Sequence, residues 1–140
     1  IKQATKGNKT ATESIESISK ALPALVRAQK IGQKAAKQRF DFAGAGDALD
    51  KASEEVAELK EALAEGNLEH IEEETGDLLL AVVNTARLAG VDAEEALHKA
   101  NQKFCNRFAK VERFANEEGV QLCEKSDEEM LLLWEKAKNS

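Results

Sequence analysis

Apolar residues recur at three- and four-residue spacing in five successive stretches, each bounded by capping or turn chemistry. Leu25, Val26, Ala28, Ile31 and Ala35 follow Pro23 and predict a helix toward Phe40, with Pro23 suited to its first turn. Phe40 to Gly46 (FDFAGAG) reads as a loop. Leu49, Ala52, Val56, Leu59 and Leu63 then form one stripe of a helix over about 47–65, ended by Gly66 and Asn67. A third helix is expected over about 68–89, stopping at Gly90. The fourth opens on an Asp92-to-Glu95 capping box, is expected to bury Leu97, Ala100, Phe104, Phe108, Val111 and Phe114, and ends at Gly119. The last opens on a Ser126-to-Glu129 box and carries Met130, Leu131, Leu133 and Trp134. Short connections between long helices predict an all-α, antiparallel bundle of about five helices.

Residues 1–17 are rich in Lys, Thr, Ser and Asn without periodicity, so they read as a flexible lead-in or linker before a helical domain over 18–140. The chain starts at Ile1 and its single methionine is Met130, the pattern expected of a fragment or a processed product. Its 140 residues suit one domain. One proline and no tyrosine, with Ala, Leu, Glu and Lys dominant, leave little material for a sheet.

A net charge of −6 disfavours binding along a nucleic-acid backbone or an anionic membrane. The longest apolar run, Leu78 to Val83, is far short of a span. Cys105 and Cys123 form no CxxC pair, so free thiols and a cytoplasmic location are expected. His70 and His98 lack metal-ligand spacing and read as surface or boundary residues.

The candidate chemistry lies in carboxylates. At about 100° per residue, Glu55 falls roughly 70° from the centre of the second helix's apolar stripe, Glu58 roughly 130° and Glu54 roughly 170°. Glu55 and Glu58 therefore border the core, while Glu54 points to water. Glu74 and Asp77 on the third helix are one turn apart and converge, immediately before an all-apolar segment. Gly76 between them is costly in a helix interior unless a backbone or ligand comes close. Four carboxylates at a core margin repel one another unless protonated or neutralised, and an all-oxygen set suits Mg²⁺, Mn²⁺ or Ca²⁺. The alternative is two solvated acidic faces. On the fourth helix Lys103, Arg107 and Lys110 form a cationic strip suited to polyphosphate, or to surface ion pairs with the excess acid, and Asn101 flanks it.

In order, LPALVRAQKIGQKAAKQRFDF, KASEEVAELKEAL, EEETGDLLLAVVNTARLAG, ALHKANQKFCNRFAKVERF and LLLWEKAK resemble the MazG family of nucleoside triphosphate pyrophosphohydrolases, in particular the C-terminal domain of its tandem-domain bacterial members. The likeness runs from about Ser17 to the end and includes the EExxE and ExxD signature. It implies a four-helix core completed by dimerisation, as a homodimer or dimer of dimers. It also implies Mg²⁺-dependent cleavage between the α and β phosphates, with Mn²⁺ as a substitute, giving a monophosphate and pyrophosphate. By motif, Glu55, Glu58, Glu74 and Asp77 are the implied metal ligands, with Glu55 or Glu58 assisting deprotonation of the attacking water. Lys103 and Arg107 are the implied phosphate ligands, Lys51 a weaker one, Asn101 is placed near the nucleotide and Trp134 at the base. The chain departs from related domains at Phe42, at Ala52 and Ser53, and at Leu80, which bears on base preference. House-cleaning of canonical or aberrant nucleotides is the expected role. The alternatives are a narrower dUTP, dCTP or phosphoribosyl-ATP pyrophosphohydrolase, and a non-catalytic oligomerisation or nucleotide-sensing module.

Overall fold

A computed structural model describes residues 10–140, and every regular element among them is helical. The α-helices are α1 (Ala11–Glu16), α2 (Ala24–Ala36), α3 (Ala45–Glu65), α4 (Leu68–Leu88), α5 (Ala93–Glu117) and α6 (Asp127–Lys138), with a 3₁₀ turn at Leu122–Glu124. The chain divides into two compact units, one ending at Glu94 and the other running from Glu95 to Ser140. No helix among the described residues is long and apolar enough to cross a membrane.

In the first unit α1 falls inside the stretch read as a lead-in. It is made by a cap rather than by periodicity: Thr10 accepts from the Glu13 N–H, and the Glu13 carboxylate accepts from the Thr10 N–H. Residues 1–9, the rest of the expected lead-in, lie outside the described residues. α2 begins after Pro23 as expected but stops short of Phe40, because Arg39 takes a left-handed φ of 62° and turns the chain. α3 ends on Gly66 in the left-handed conformation (φ 73°) and α4 starts on Asn67, whose side chain accepts from the His70 N–H. With two residues between them, these helices of 21 residues each form an antiparallel hairpin.

The hairpin closes on small side chains. Ala48, Ala52, Glu55 and Ala62 are the buried residues of α3, and Glu74, Ala81 and Val83 those of α4. Leu49, Val56 and Leu63, expected to form the buried stripe, are 55%, 39% and 58% exposed. The buried face therefore lies about 80° around α3 from the Leu/Val stripe. Alanines let the two backbones approach, and the larger side chains are displaced outward. Leu79, Leu80 and Val82 of α4 are exposed as well. Gly76 has no described atom within 4 Å of a Cβ built on it, so no other backbone among the described residues explains its presence.

The second unit packs α6 on the C-terminal half of α5. Its core is Val111, Phe114, Ala115, Leu133 and Ala137, with Leu122 and Trp134 against it. Both termini of the intervening loop are tied, by a Lys125–Glu118 ion pair and by the expected Ser126–Glu129 capping box. Leu97, Phe104 and Phe108, expected to be buried, are half-exposed, because a twelve-residue α6 covers only the later turns of a 25-residue α5.

Ala62→Leu, at a fully buried position, is expected to destabilise the hairpin by about 1–3 kcal/mol through overpacking. Leu63→Ala, one residue on, is expected to change the stability of the isolated chain by no more than about 0.5 kcal/mol. Urea unfolding of both variants at low protein concentration checks the order.

Candidate metal centre

Helix register brings two of the four expected carboxylates into the interior of the hairpin. Glu55 sits between Ala52 and Ala62 on the buried face of α3, and Glu74 is the first buried residue of α4. They are 3% and 6% exposed. Glu58, one turn after Glu55, is exposed. Carboxylate oxygens of Glu55, Glu58 and Glu74 nonetheless all lie within 4.8 Å of one another. Asp77 is exposed and stands outside this cluster, one turn beyond Glu74 on α4.

Three acidic groups so close, two of them removed from water, are electrostatically unfavourable as they stand. Burial, followed by the neighbouring Glu58 and Glu55, pushes the Glu74 carboxyl up to about 7. The surroundings supply only partial relief. Lys51 Nζ lies 3.4 Å from Glu55 Oε1 and 3.8 Å from Glu54, and these carboxylates raise its pKa. His70 Nε2 lies 3.4 Å from Glu74 Oε1, while its Nδ1 lies 3.2 Å from Glu65, whose carboxylate raises the imidazole pKa. One oxygen on each buried glutamate, Glu55 Oε2 and Glu74 Oε2, is left with no hydrogen-bond partner. Unsatisfied buried carboxylate oxygens, with a third carboxylate at the same point, fit a hard divalent cation. They do not fit the alternative of two solvated acidic faces.

His70 is the residue that sequence reasoning missed. Its spacing from the cysteines and His98 is uninformative, but its i, i+4 relation to Glu74 carried the signal. Lys51 acts in this structure as a counter-ion of Glu54 and Glu55. Asn101, Lys103, Arg107 and Trp134 belong to the second unit. There the Arg107 guanidinium lies 5.7 Å from the Trp134 ring centroid, and Trp134 packs on Phe104 at 5.5 Å. Lys103 and Arg107 also line one cationic surface with His98, Lys99, Lys110 and Lys138.

Comparison with known proteins adds an independent observation. Residues 47–112, which hold all four signature carboxylates, match the family described as the MazG nucleotide pyrophosphohydrolase domain. A nucleoside triphosphate pyrophosphohydrolase of Escherichia coli (strain K12) is 39% identical over 140 residues, covering 99% of this chain and 53% of that protein. A nucleoside triphosphate pyrophosphohydrolase/pyrophosphatase MazG of Thermotoga maritima is 40% identical over 138 residues, covering 99% of this chain and 52% of that protein. An uncharacterized protein YabN of Bacillus subtilis (strain 168) is 43% identical over 141 residues, covering 29% of its own length. The chain thus spans about half the length of the two pyrophosphohydrolases.

The raised Glu74 pKa sets a sign for metal-free stability. A carboxyl whose folded-state pKa exceeds its unfolded value near 4.5 stabilises the fold fully only below that value, and the contribution is lost as pH rises through about 7. Metal-free protein is therefore expected to melt at a lower temperature at pH 8 than at pH 6. Glu74→Gln is expected to flatten that slope and to raise the melting temperature at pH 8. A steeper slope in the variant contradicts the assignment.

Proposed function

We propose that this chain, whose residues 47–112 match the MazG nucleotide pyrophosphohydrolase domain, hydrolyses nucleoside triphosphates between the α and β phosphates, releasing a monophosphate and pyrophosphate. The observation that carries the proposal is the pair of partnerless carboxylate oxygens on Glu55 and Glu74, buried together with Glu58 in reach. Glu55, Glu58 and Glu74 would hold Mg²⁺, or Mn²⁺ in its place, with Asp77 contributing from the next turn of α4. Bound there, the cation supplies Lewis-acid stabilisation of charge on the phosphate oxygens. Glu58 is the exposed member of the cluster, and so the one able to take a proton from an attacking water without leaving solvent. Lys51 stands within ion-pair distance of Glu54 and Glu55 and is free to turn to a phosphate once a cation takes over their charge. Lys103 and Arg107 are assigned to the phosphates, and Asn101 and Trp134 to the nucleoside, by the family resemblance.

We further propose that the protein works as a homodimer or dimer of dimers. The support is the large apolar side chains left outside the hairpin, Leu49, Val56 and Leu63 on α3 and Leu79, Leu80 and Val82 on α4. We propose house-cleaning of canonical or aberrant nucleotides as its role, on the family resemblance alone. Phe42 and Leu80 are the positions at which a narrower preference would be written.

The test is pyrophosphate release from a panel of ribo- and deoxynucleoside triphosphates with Mg²⁺ and with EDTA. Metal-dependent release of pyrophosphate and monophosphate is expected. Absence of release from folded, helical protein favours the nucleotide-sensing alternative. Glu58→Gln is expected to lower kcat about a hundredfold or more with helicity unchanged, and full activity in that variant removes Glu58 from the site.

A further inference from the structure

The two buried glutamates of the hairpin share one arrangement. Glu55 and Glu74 each have a basic residue four positions earlier on the same helix, Lys51 on α3 and His70 on α4. Each base stands 3.4 Å from Oε1 of its glutamate, and each glutamate keeps Oε2 buried without a partner. The i, i+4 relation sets one side chain directly over the other, so the base occupies one carboxylate oxygen and leaves the second.

The two bases are not equivalent. Lys51 is an exposed cation on a flexible stem, shared between Glu55 and Glu54. His70 is held at three points. Its backbone N–H donates to the Asn67 side chain at 3.2 Å, its Nδ1 lies 3.2 Å from Oε1 of Glu65, and its Nε2 faces Glu74. Glu65 is the last residue of α3, and the left-handed Gly66 reverses the chain so that a carboxylate five positions back reaches the ring. With Nδ1 committed to Glu65, the imidazole cannot rotate without losing that contact, so Nε2 stays on Glu74. The contact orders the Glu74 carboxyl whichever of the two groups carries the proton between them. A residue needed only for its charge requires no second anchor.

We propose that Glu65 and His70 form a positioning relay for the metal centre: Glu65 fixes the ring, His70 holds Oε1 of Glu74, and Oε2 is thereby kept open to the cation. The inference rests on the carboxylate cluster holding a divalent cation. Neither residue belongs to the cluster of Glu55, Glu58 and Glu74, and both act through Glu74. A carboxylate steered by an imidazole has its orientation set before the cation arrives. A counter-ion role has the opposite sign. A positive ring that merely neutralises Glu74 competes with the cation, and its removal tightens cation binding. Removal of a positioning ring weakens it.

The experiment is a Mn²⁺ titration of the full chain without nucleotide, with free aqueous Mn²⁺ counted by electron paramagnetic resonance. His70→Ala is expected to weaken Mn²⁺ affinity about tenfold or more. His70→Gln, whose amide nitrogen donates to Glu74 from the same position, is expected to recover affinity to within about threefold of the natural sequence. Glu65→Ala is expected to weaken binding about threefold or more through the ring alone. Glu69→Ala, which removes the same charge from the exposed first turn of α4, is expected to stay within about twofold. Glu65 is exposed, so its variant keeps the test decisive if His70→Ala fails to fold. Unchanged or tighter binding in His70→Ala overturns the relay and leaves His70 a counter-ion. Equal losses in His70→Ala and His70→Gln, or in Glu65→Ala and Glu69→Ala, overturn it as well. Absence of Mn²⁺ binding by the natural sequence overturns the carboxylate reading and this inference with it.

Discussion

Two glutamates, Glu55 and Glu74, are buried on the facing helices of one hairpin, and the rest of the first unit is arranged around that unfavourable fact. Hydrophobic burial alone would place leucine at both positions, since an ionised carboxylate in a core is costly without compensation. The partial compensation within the chain, Lys51 at one end and His70 at the other, leaves one oxygen of each glutamate unsatisfied. On the proposed function, a cation binding there would meet carboxylates already held close together.

Bringing these two carboxylates together requires close backbones, and close backbones require alanine. Ala48, Ala52 and Ala62 on α3 and Ala81 on α4 occupy the seam. The large apolar side chains of both helices are consequently turned to the outside of this chain, where they offer the surface that a second copy would cover. Site and exposed surface are thus two results of one choice of helix face, and the exposed leucines are not a failure of packing.

The turn after α2 solves a different problem. It lacks a regular hydrogen-bond ladder to hold its shape, and a short loop carrying two phenylalanines would otherwise sample many positions. The paired Arg87–Asp41 contact anchors it to α4, the same rigid helix that carries Glu74 and Asp77. The carboxylates and Arg87 on that one helix keep a fixed spacing, because that spacing is set by helical rise rather than by loop conformation.

Most of the helices were legible in the chain because caps and periodicity are local: Pro23, Gly66, Asn67 and Ser126 mark boundaries that the structure keeps. The nearness of Glu55 to Glu58 was legible for the same reason, as they are one turn apart on one helix, whereas Asp77, paired with Glu74 by the same spacing, stands outside the cluster that forms. Spacing left undecided which face of α3 is buried, since that depends on how near α4 comes. The alanine face won over the Leu49, Val56, Leu63 stripe because small side chains permit the closer approach. For the same reason Glu55 is buried and Glu58 exposed, where sequence geometry put both at the core margin. His70 beside Glu74 was within reach of an i, i+4 reading, but Arg87 beside Asp41 and Gly32 was not. Contacts between residues tens of positions apart have no local pattern, so only the tertiary structure decides them.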